Sequence, residues 1–319
     1  MLPALTWSAS GGEARLTDGP EATRNATTKH AKVIAAHTLS LRDRPRATAH
    51  IARMHGGSQS HLLRCSDGHF YVVKFPDNPQ GTRTLANELI CANLAARLNL
   101  PSPVCKVIEV SEELIFSRKI TTEWTNGARL CQSGLCFGSR HPGNQTLILT
   151  HLPKGRLHDV ENVQDLAGIL LFDFWTSNLD AREMLFLRRP GEWMLRAYMI
   201  DSGQCFKGAQ WTLHDVRRST PHPKLHYFSW ISGIESFEPW LSRIEGFDPA
   251  VVQDAWRTIP AEWYGADLES LRILLRQLEA ARKHLRRVLE VFHRERPSDF
   301  PFWKTTPLSG EPALQSLSC

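Results

Sequence analysis

The sequence predicts an α+β chain of two lobes, a small β-rich N-lobe with one helix and a larger, mainly helical C-lobe. Three observations predict it. Between His50 and Phe75 short apolar runs alternate with Gly- and Asp-containing turns. One amphipathic stretch, Thr82–Leu98, follows them. Beyond Val163 the helical period dominates and culminates in a long stretch, Leu268–Phe292.

The elements follow in order. Residues 1–45 are rich in Thr, Ala, Gly and Arg without sustained periodicity. They read as a flexible extension with a short strand near Lys32–Ala36. His50–Met54 is a strand candidate, and His55 to Ser60 is a turn. Leu62–Cys65 and Phe70–Phe75 flank Ser66-Asp67-Gly68 and read as a hairpin. Leu85, Leu89, Ala92 and Ala96 give the helix its apolar face, and Pro101 and Pro103 end it. Val107–Val110 and Leu114–Phe116 are further strand candidates. Thr121 to Asn144 is polar, Gly-rich and carries no clear pattern. Leu147-Ile148-Leu149 reads as the last strand before a linker. Val163–Trp175 is an apolar helix, and Met184–Leu187 and Ala197–Ile200 are strands. Ser236–Ile244 and Pro249–Ile259 read as short helices. In the final helix Leu271, Leu275, Leu278, Leu285, Val288 and Phe292 share a face, opposite a solvated basic face with Arg272, Arg276, Lys283 and Arg287. The expected division is an N-lobe over 46–152, a C-lobe over 153–303 and a tail over 304–319.

With 42% hydrophobic and 22% charged residues, the composition is that of a globular chain and excludes wholesale disorder. The net charge of +5 permits an anionic ligand but does not mark a nucleic-acid binder. No run of 18 apolar residues predicts a membrane span, and the first residues lack the pattern of a secretory signal. The seven cysteines contain no Cys-x-x-Cys pair and fit free thiols in a reducing cytoplasm. Cys131 and Cys136 have no second pair to complete a zinc site, and His55, His61 and His69 show no metal spacing.

Four features carry chemistry. The turn Gly56-Gly57-Ser58-Gln59-Ser60 could bring backbone amides and hydroxyls to phosphate oxygens, although a Gly-Gly turn is more often only a turn. No Gly-Lys-Ser/Thr opens a helix here, so it is not a Walker loop. Lys74 stands in the apolar run Tyr71 to Phe75. It either points to water from a sheet edge or meets phosphates, with Glu88 of the next helix as its partner. Asp180 lies in Trp175-Thr176-Ser177-Asn178-Leu179-Asp180-Ala181-Arg182, directly after the apolar helix. Asp201 ends a strand in Met199-Ile200-Asp201-Ser202-Gly203. Phosphoryl transfer needs one carboxylate near the accepting hydroxyl and one on a metal. Taken singly, each aspartate is also explained as a turn residue. Cys205, near Lys207, reads as a buried thiol in preference to a reactive one.

The series GGSQSHLLRCSDGHFYVVKF, LANEL, FDFWTSNLDAR and AYMIDSG, with IPAEWYG and the last long helix, resembles the HipA-like kinase domains over roughly Ala47 to Trp303. The resemblance implies a two-lobed, protein-kinase-like fold with ATP and Mg²⁺ between the lobes. It implies Gly56, Gly57, Ser58, Gln59 and Ser60 over the phosphates, and Lys74 on the phosphates paired with Glu88. Thr150, His151 and Leu152 would form the interlobe hinge facing adenine. Asp180 would be the catalytic carboxylate, with Lys74, Asn178 and Arg182 beside it, and Asp201 the metal ligand. The family's catalytic loop carries Asn-x-Asp-x-His-x-x-Asn. Here Arg182 replaces the histidine and Leu185 the second asparagine. Leucine cannot ligate Mg²⁺, which leaves Asn178 as a substitute ligand or a single-metal site. The implied activity is transfer of the γ-phosphoryl group to a hydroxyl of a protein Ser/Thr or of the chain itself. A nucleotide-binding pseudokinase and a small-molecule or lipid-headgroup kinase are the alternatives.

Overall fold

In the computed structural model, which describes residues 44–54, 56–143, 145–178, 180, 182–213, 227–265 and 267–304, the N-lobe is built on β1 (Ala47–Arg53), β2 (His61–Cys65) and β3 (Phe70–Lys74). Helix α1 (Arg83–Arg97), β4 (Cys105–Val110) and helix α2 (Glu112–Arg118) follow. A small hairpin of β5 (Thr121–Trp124) and β6 (Gly127–Leu130) precedes β7 (Gly134–Arg140). The expected strand at Lys32–Ala36 and almost all of the extension and tail lie outside the described residues. So do His55 and Cys319.

Five strands form one sheet in the order β1-β2-β3-β7-β4, every neighbour antiparallel. The turn at Asp67-Gly68 closes as expected, with Gly68 at φ 80°, a conformation that suits glycine. Leu63 and Tyr71 pair across it and are fully buried. One sheet face meets Ile108, Val110, Ile115 and Ile120 in a core of its own. The other is covered by α1, whose apolar residues belong to a core continuous with that of the C-lobe. From Thr84 to Cys91 every residue of α1 is buried, so its polar side chains there need partners within the protein.

Three expectations about elements change. Leu114–Phe116 is part of helix α2. Ser111 caps it, its Oγ accepting from the Leu114 N–H at 3.2 Å, and Glu112 and Glu113 occupy the first turn, where the helix dipole favours acids. The stretch Thr121–Asn144 holds three strands, including β7 at the heart of the sheet. Leu147–Leu149 is a strand, β8, but it pairs with the C-lobe strand β9 (Glu183–Arg188), which in turn pairs with β10 (Arg196–Ile200). The chain therefore leaves the N-lobe sheet at Arg140, and the crossing between lobes lies within 141–146, before the expected boundary at 152.

The C-lobe is organised on helix α3 (Asp165–Thr176), which is buried from Leu166 to Thr176. Gly168 lets the Trp240 ring lie against it, since a Cβ there would come within 2.4 Å of that ring. Of the short helices, α4 (Trp240–Glu245) packs against it, α5 (Pro249–Gln253) packs on the final helical stretch, and α6 (Ala261–Tyr264) meets α1, with Trp263 Nε1 donating to the Leu135 carbonyl of β7 at 2.9 Å. The expected long final helix is broken into α7 (Leu268–Ala281) and α8 (Leu285–Glu295). At the break Arg282 is buried, pairs with Glu279 at 3.0 Å and donates to the Glu245 carbonyl. Among the described residues no helix is long and apolar enough to cross a membrane.

Candidate active site

The last residue of β3, Lys74, is buried and joins two elements. Its Nζ donates to Glu88 Oε1 of α1 at 2.5 Å and to Asp201 Oδ1 after β10 at 2.9 Å. The sheet edge is not its place; β3 is central, between β2 and β7, and the ammonium meets α1 and the Asp201 loop. Burial alone would lower its pKa, but the Glu88 and Asp201 carboxylates hold it above the ordinary lysine value, so it stays charged. Asp201 adopts φ 54°. Burial pushes its carboxyl up, yet the Lys74 ammonium prevails and keeps it below the ordinary carboxylate value. For Glu88, burial raises the pKa while Lys74 opposes it. Its second oxygen accepts the Ser202 N–H at 2.9 Å. The side chains of Lys74 and Glu88 are almost covered, while that of Asp201 is 30% exposed and opens toward solvent.

Helix α3 ends at Ser177 in the left-handed region, φ 49°. Asn178 N–H then bonds back to the Asp173 carbonyl at 3.0 Å, a helix end that turns the chain sharply. Two residues later Asp180 stands exposed, its N–H donating to Asn178 Oδ1 at 3.3 Å. Arg182, 2% exposed, braces this loop to the Asp201 loop. Its guanidinium grips Asp173, with Nε donating at 3.0 and 3.2 Å and Nη2 also to Oδ1. Its Nη1 donates to the carbonyls of Ile200 (3.0 Å) and Asp201 (2.9 Å) and to Ser202 Oγ (3.0 Å). Burial opposes its charge, but Asp173 holds its pKa above the ordinary arginine value.

These contacts bear on several expectations. Arg182 is buried, and its donors face Asp173 and the Asp201 loop. Asn178 is buried as well, and its Nδ2 donates to Asp173 Oδ1 at 3.0 Å. Its Oδ1, the atom that could ligate a cation, accepts the Asp180 N–H at 3.3 Å. Leu185 lies on β9 opposite Tyr198, where it offers no ligand atom. The Leu152 N–H is donated to Tyr227 Oη at 3.0 Å and Leu152 is buried, while Thr150 and His151 are exposed. They follow β8, on the C-lobe side of the crossing at 141–146.

The glycine turn sits beside the lysine. His61 pairs with Val73, so the turn opens next to the end of β3. Gly56 and Gly57 are exposed, whereas Ser58 and Ser60 are buried, so the glycine backbone is what the turn presents. The Gln59 side chain faces elsewhere. Its Oε1 accepts the Glu123 N–H at 2.6 Å and its Nε2 donates to the Glu123 carbonyl at 2.8 Å, tying the turn to the β5–β6 hairpin. Its Oε1 also accepts from Arg53 at 2.7 Å. The Gln59 side chain therefore anchors the turn.

Two residues escaped the sequence reading. For Asp173, a lone acid inside the otherwise apolar run Val163–Trp175 was the signal that could have found it. Asn87, on the buried side of α1, was passed over beside Glu88. Cys205 is fully buried, as its bland reading expected. Among the described residues no group of three or more His, Cys, Asp or Glu is placed to hold a metal by itself.

A five-stranded antiparallel sheet with a lysine on its third strand, a glutamate on the following helix, and a helical lobe whose loops present two aspartates defines a two-lobed protein-kinase-like fold. Residues 50–185 match the family model of the HipA-like kinases. Among solved structures, the chain is similar to the Golgi casein kinase at 10% identity and a TM-score of 0.47, covering 78% of this chain and 74% of that one. A second structure of that kinase, with Mn/ADP bound, gives 10% identity and a TM-score of 0.39 over 86% and 78%. The Helicobacter pylori proinflammatory kinase CtkA gives 12% and 0.45 over 73% and 95%. No curated protein matches the sequence.

Proposed function

We propose that this chain is a kinase that transfers the γ-phosphoryl group of ATP to a hydroxyl, with the side chain of a protein Ser/Thr, or of the chain itself, as the acceptor class. The observation that carries the reading is Lys74 held simultaneously by Glu88 at 2.5 Å and Asp201 at 2.9 Å. A structural ion pair needs only one carboxylate. The second, partly open to solvent, keeps an acceptor oxygen where a charged ligand can approach.

In this reading the phosphates lie between Lys74 and the Gly56–Gly57 backbone, and the base lies against the 141–146 crossing. Asp201 would hold Mg²⁺. Its oxygen donors and charged state fit a hard cation, which is commonly held by one or two carboxylates together with substrate phosphates. The ion, when bound, offsets negative charge on the phosphates. Lys74 adds a fixed positive charge near the transferred group. Asp180 accepts the proton of the attacking hydroxyl as its oxygen bonds to the γ-phosphorus and the bond to the ADP oxygen breaks. The products are a phosphoester and ADP. Arg182 keeps the Asp180 and Asp201 loops in mutual register throughout.

A second reading, a nucleotide-binding pseudokinase, is favoured by one observation: Leu185 and the buried Asn178 leave Asp201 without the usual companion ligand. Radiolabelled γ-phosphoryl transfer separates the two. With ATP–Mg²⁺, generic protein acceptors and the chain itself, the active reading expects label in protein from the wild type. Removal of a general base costs about 10²–10⁴-fold, so Asp180→Asn should lose transfer on that scale. Equal labelling by wild type and variant would sink the role of Asp180; binding of ATP without any transfer would favour the pseudokinase.

A further inference from the structure

Asn87, the neighbour of Glu88 on α1, takes no part in the chemistry above, yet it is fully buried and every polar atom of its side chain is engaged. Its Nδ2 donates to the carbonyls of Gly203 at 2.8 Å, Cys205 at 3.0 Å and Gly208 at 2.9 Å. Its Oδ1 accepts from Trp211 Nε1 at 2.8 Å. All four partners belong to the segment that directly follows Asp201.

That segment is strained. Phe206 and Lys207 have φ of 57° and 59°, a region that residues with a Cβ occupy only when their surroundings impose it. Gly208 continues the turn at φ 63°, and Trp211 adds a further left-handed residue at 53°. One helical turn before Asn87, Arg83 reaches the same segment. Its guanidinium lies 4.4 Å from the centre of the Trp211 ring, and its Nη1 donates to the Ala209 carbonyl at 3.2 Å. The outer half of the grip is solvent-accessible; the Asn87 half is sealed.

Resting on the kinase reading, we propose that Asn87 is a positioning residue for phosphoryl transfer, clamping the left-handed turn Phe206–Gly208 onto α1 so that Glu88, Lys74 and Asp201 are held in register before substrate arrives. The chemistry of the side chain explains why an amide stands here. Three carbonyls converge on the two N–H bonds of Nδ2, one of which is shared, and the indole N–H requires an acceptor; a side-chain amide supplies both donor and acceptor. An aspartate would turn an acceptor toward three carbonyls. The clamp acts through the backbone: the Ser202 N–H bonded to Glu88 Oε2 and the Gly203 carbonyl bonded to Asn87 are one residue apart, so release of the turn frees both the glutamate and the aspartate loop.

The test uses the full chain with Asn87→Asp and Trp211→Phe. Each is assayed well below its own thermal transition, with activity expressed per folded molecule. For Asn87→Asp the expected result is a kcat lower by about tenfold or more with KM for ATP within about threefold, the pattern of an interaction that acts on the transition state and not on ground-state binding. Trp211→Phe should show the same split at about threefold. In both, amide hydrogen exchange at Ser202 and across 205–212 should quicken, about tenfold for Asn87→Asp. A variant with a lowered melting temperature but wild-type kcat and wild-type exchange in this segment overturns the proposal. If Asn87→Asp does not fold, Trp211→Phe carries both measurements. If the wild type itself shows no phosphoryl transfer, the kinase reading fails separately, and the exchange measurement still decides the clamp: faster exchange supports it and unchanged exchange removes it.

Discussion

Two buried charge clusters meet at the Asp201–Ser202 peptide, and they differ in how completely they are closed. In the Asp173–Arg182 cluster both side chains are 2% exposed, and the guanidinium has carboxylate, carbonyl and hydroxyl acceptors around it. In the Lys74–Glu88–Asp201 cluster the lysine and glutamate are nearly covered, but Asp201 remains 30% exposed. The first has no access for a ligand and serves to fix loops. The second retains an open carboxylate beside a fixed positive charge, which is what an incoming phosphate with a cation requires. The two clusters are thus alike in burying charge and differ in enclosure.

The largest effect should come from opening the closed cluster. Arg182→Met leaves Asp173 buried without its cation, and breaking a buried pair in this way costs about 3–5 kcal/mol, measurable by urea unfolding. Replacing both partners, Asp173→Leu with Arg182→Met, should recover much of that stability, because a buried pair exchanged for apolar groups is often nearly neutral. The double variant should still lack phosphoryl transfer, since nothing then ties the Asp180 and Asp201 loops. Recovery of activity in the double variant would break the comparison.

The open cluster should respond less in stability and more in function. Lys74→Met leaves Glu88 and Asp201 facing each other, but Asp201 can turn to water, so the loss should be smaller, about 1–3 kcal/mol. A loss equal to that of Arg182→Met would mean that the two clusters are equivalent structural pairs.

The smallest effect is a pH dependence. The folded pKa of Asp201 lies below its unfolded value, so its contribution to stability is fully present above the ordinary carboxylate range. It is lost as pH falls through the folded pKa, where the folded state must also take up the proton. The stability difference between wild type and Asp201→Asn should therefore be constant from neutral pH down to about 4 and shrink below it. A difference that grows on acidification would contradict the depressed pKa.

The open cluster was legible in the sequence because each member breaks its local pattern: Lys74 in an apolar strand, Glu88 on the helix that follows, Asp201 at a strand end before Ser202-Gly203. The family match over residues 50–185 agrees with the resemblance those motifs carried. The closed cluster was less legible because its partners are nine residues apart on different elements and meet only through the sharp helix end at Ser177. The lobe crossing was misplaced for a different reason. Leu147–Leu149 has the apolar run of a buried strand, while β7 is interrupted by Gly134, Gly138 and Ser139. A Cβ at Gly138 would sit 2.4 Å from Ile108, so the glycine marks close packing within the sheet and not a loop. The tie between the Gln59 side chain and Glu123 was not legible, because a sequence reveals a turn but not which side chain anchors it.

The most direct measurement is calorimetric titration of ATP–Mg²⁺ into the wild type, Lys74→Ala and Asp201→Ala. The account predicts binding by the wild type and affinity lower by about tenfold or more in each variant, a loss of about 1.4 kcal/mol or more. Binding that ignores both substitutions, or no binding by the wild type, would contradict the assignment of the open cluster as the nucleotide site.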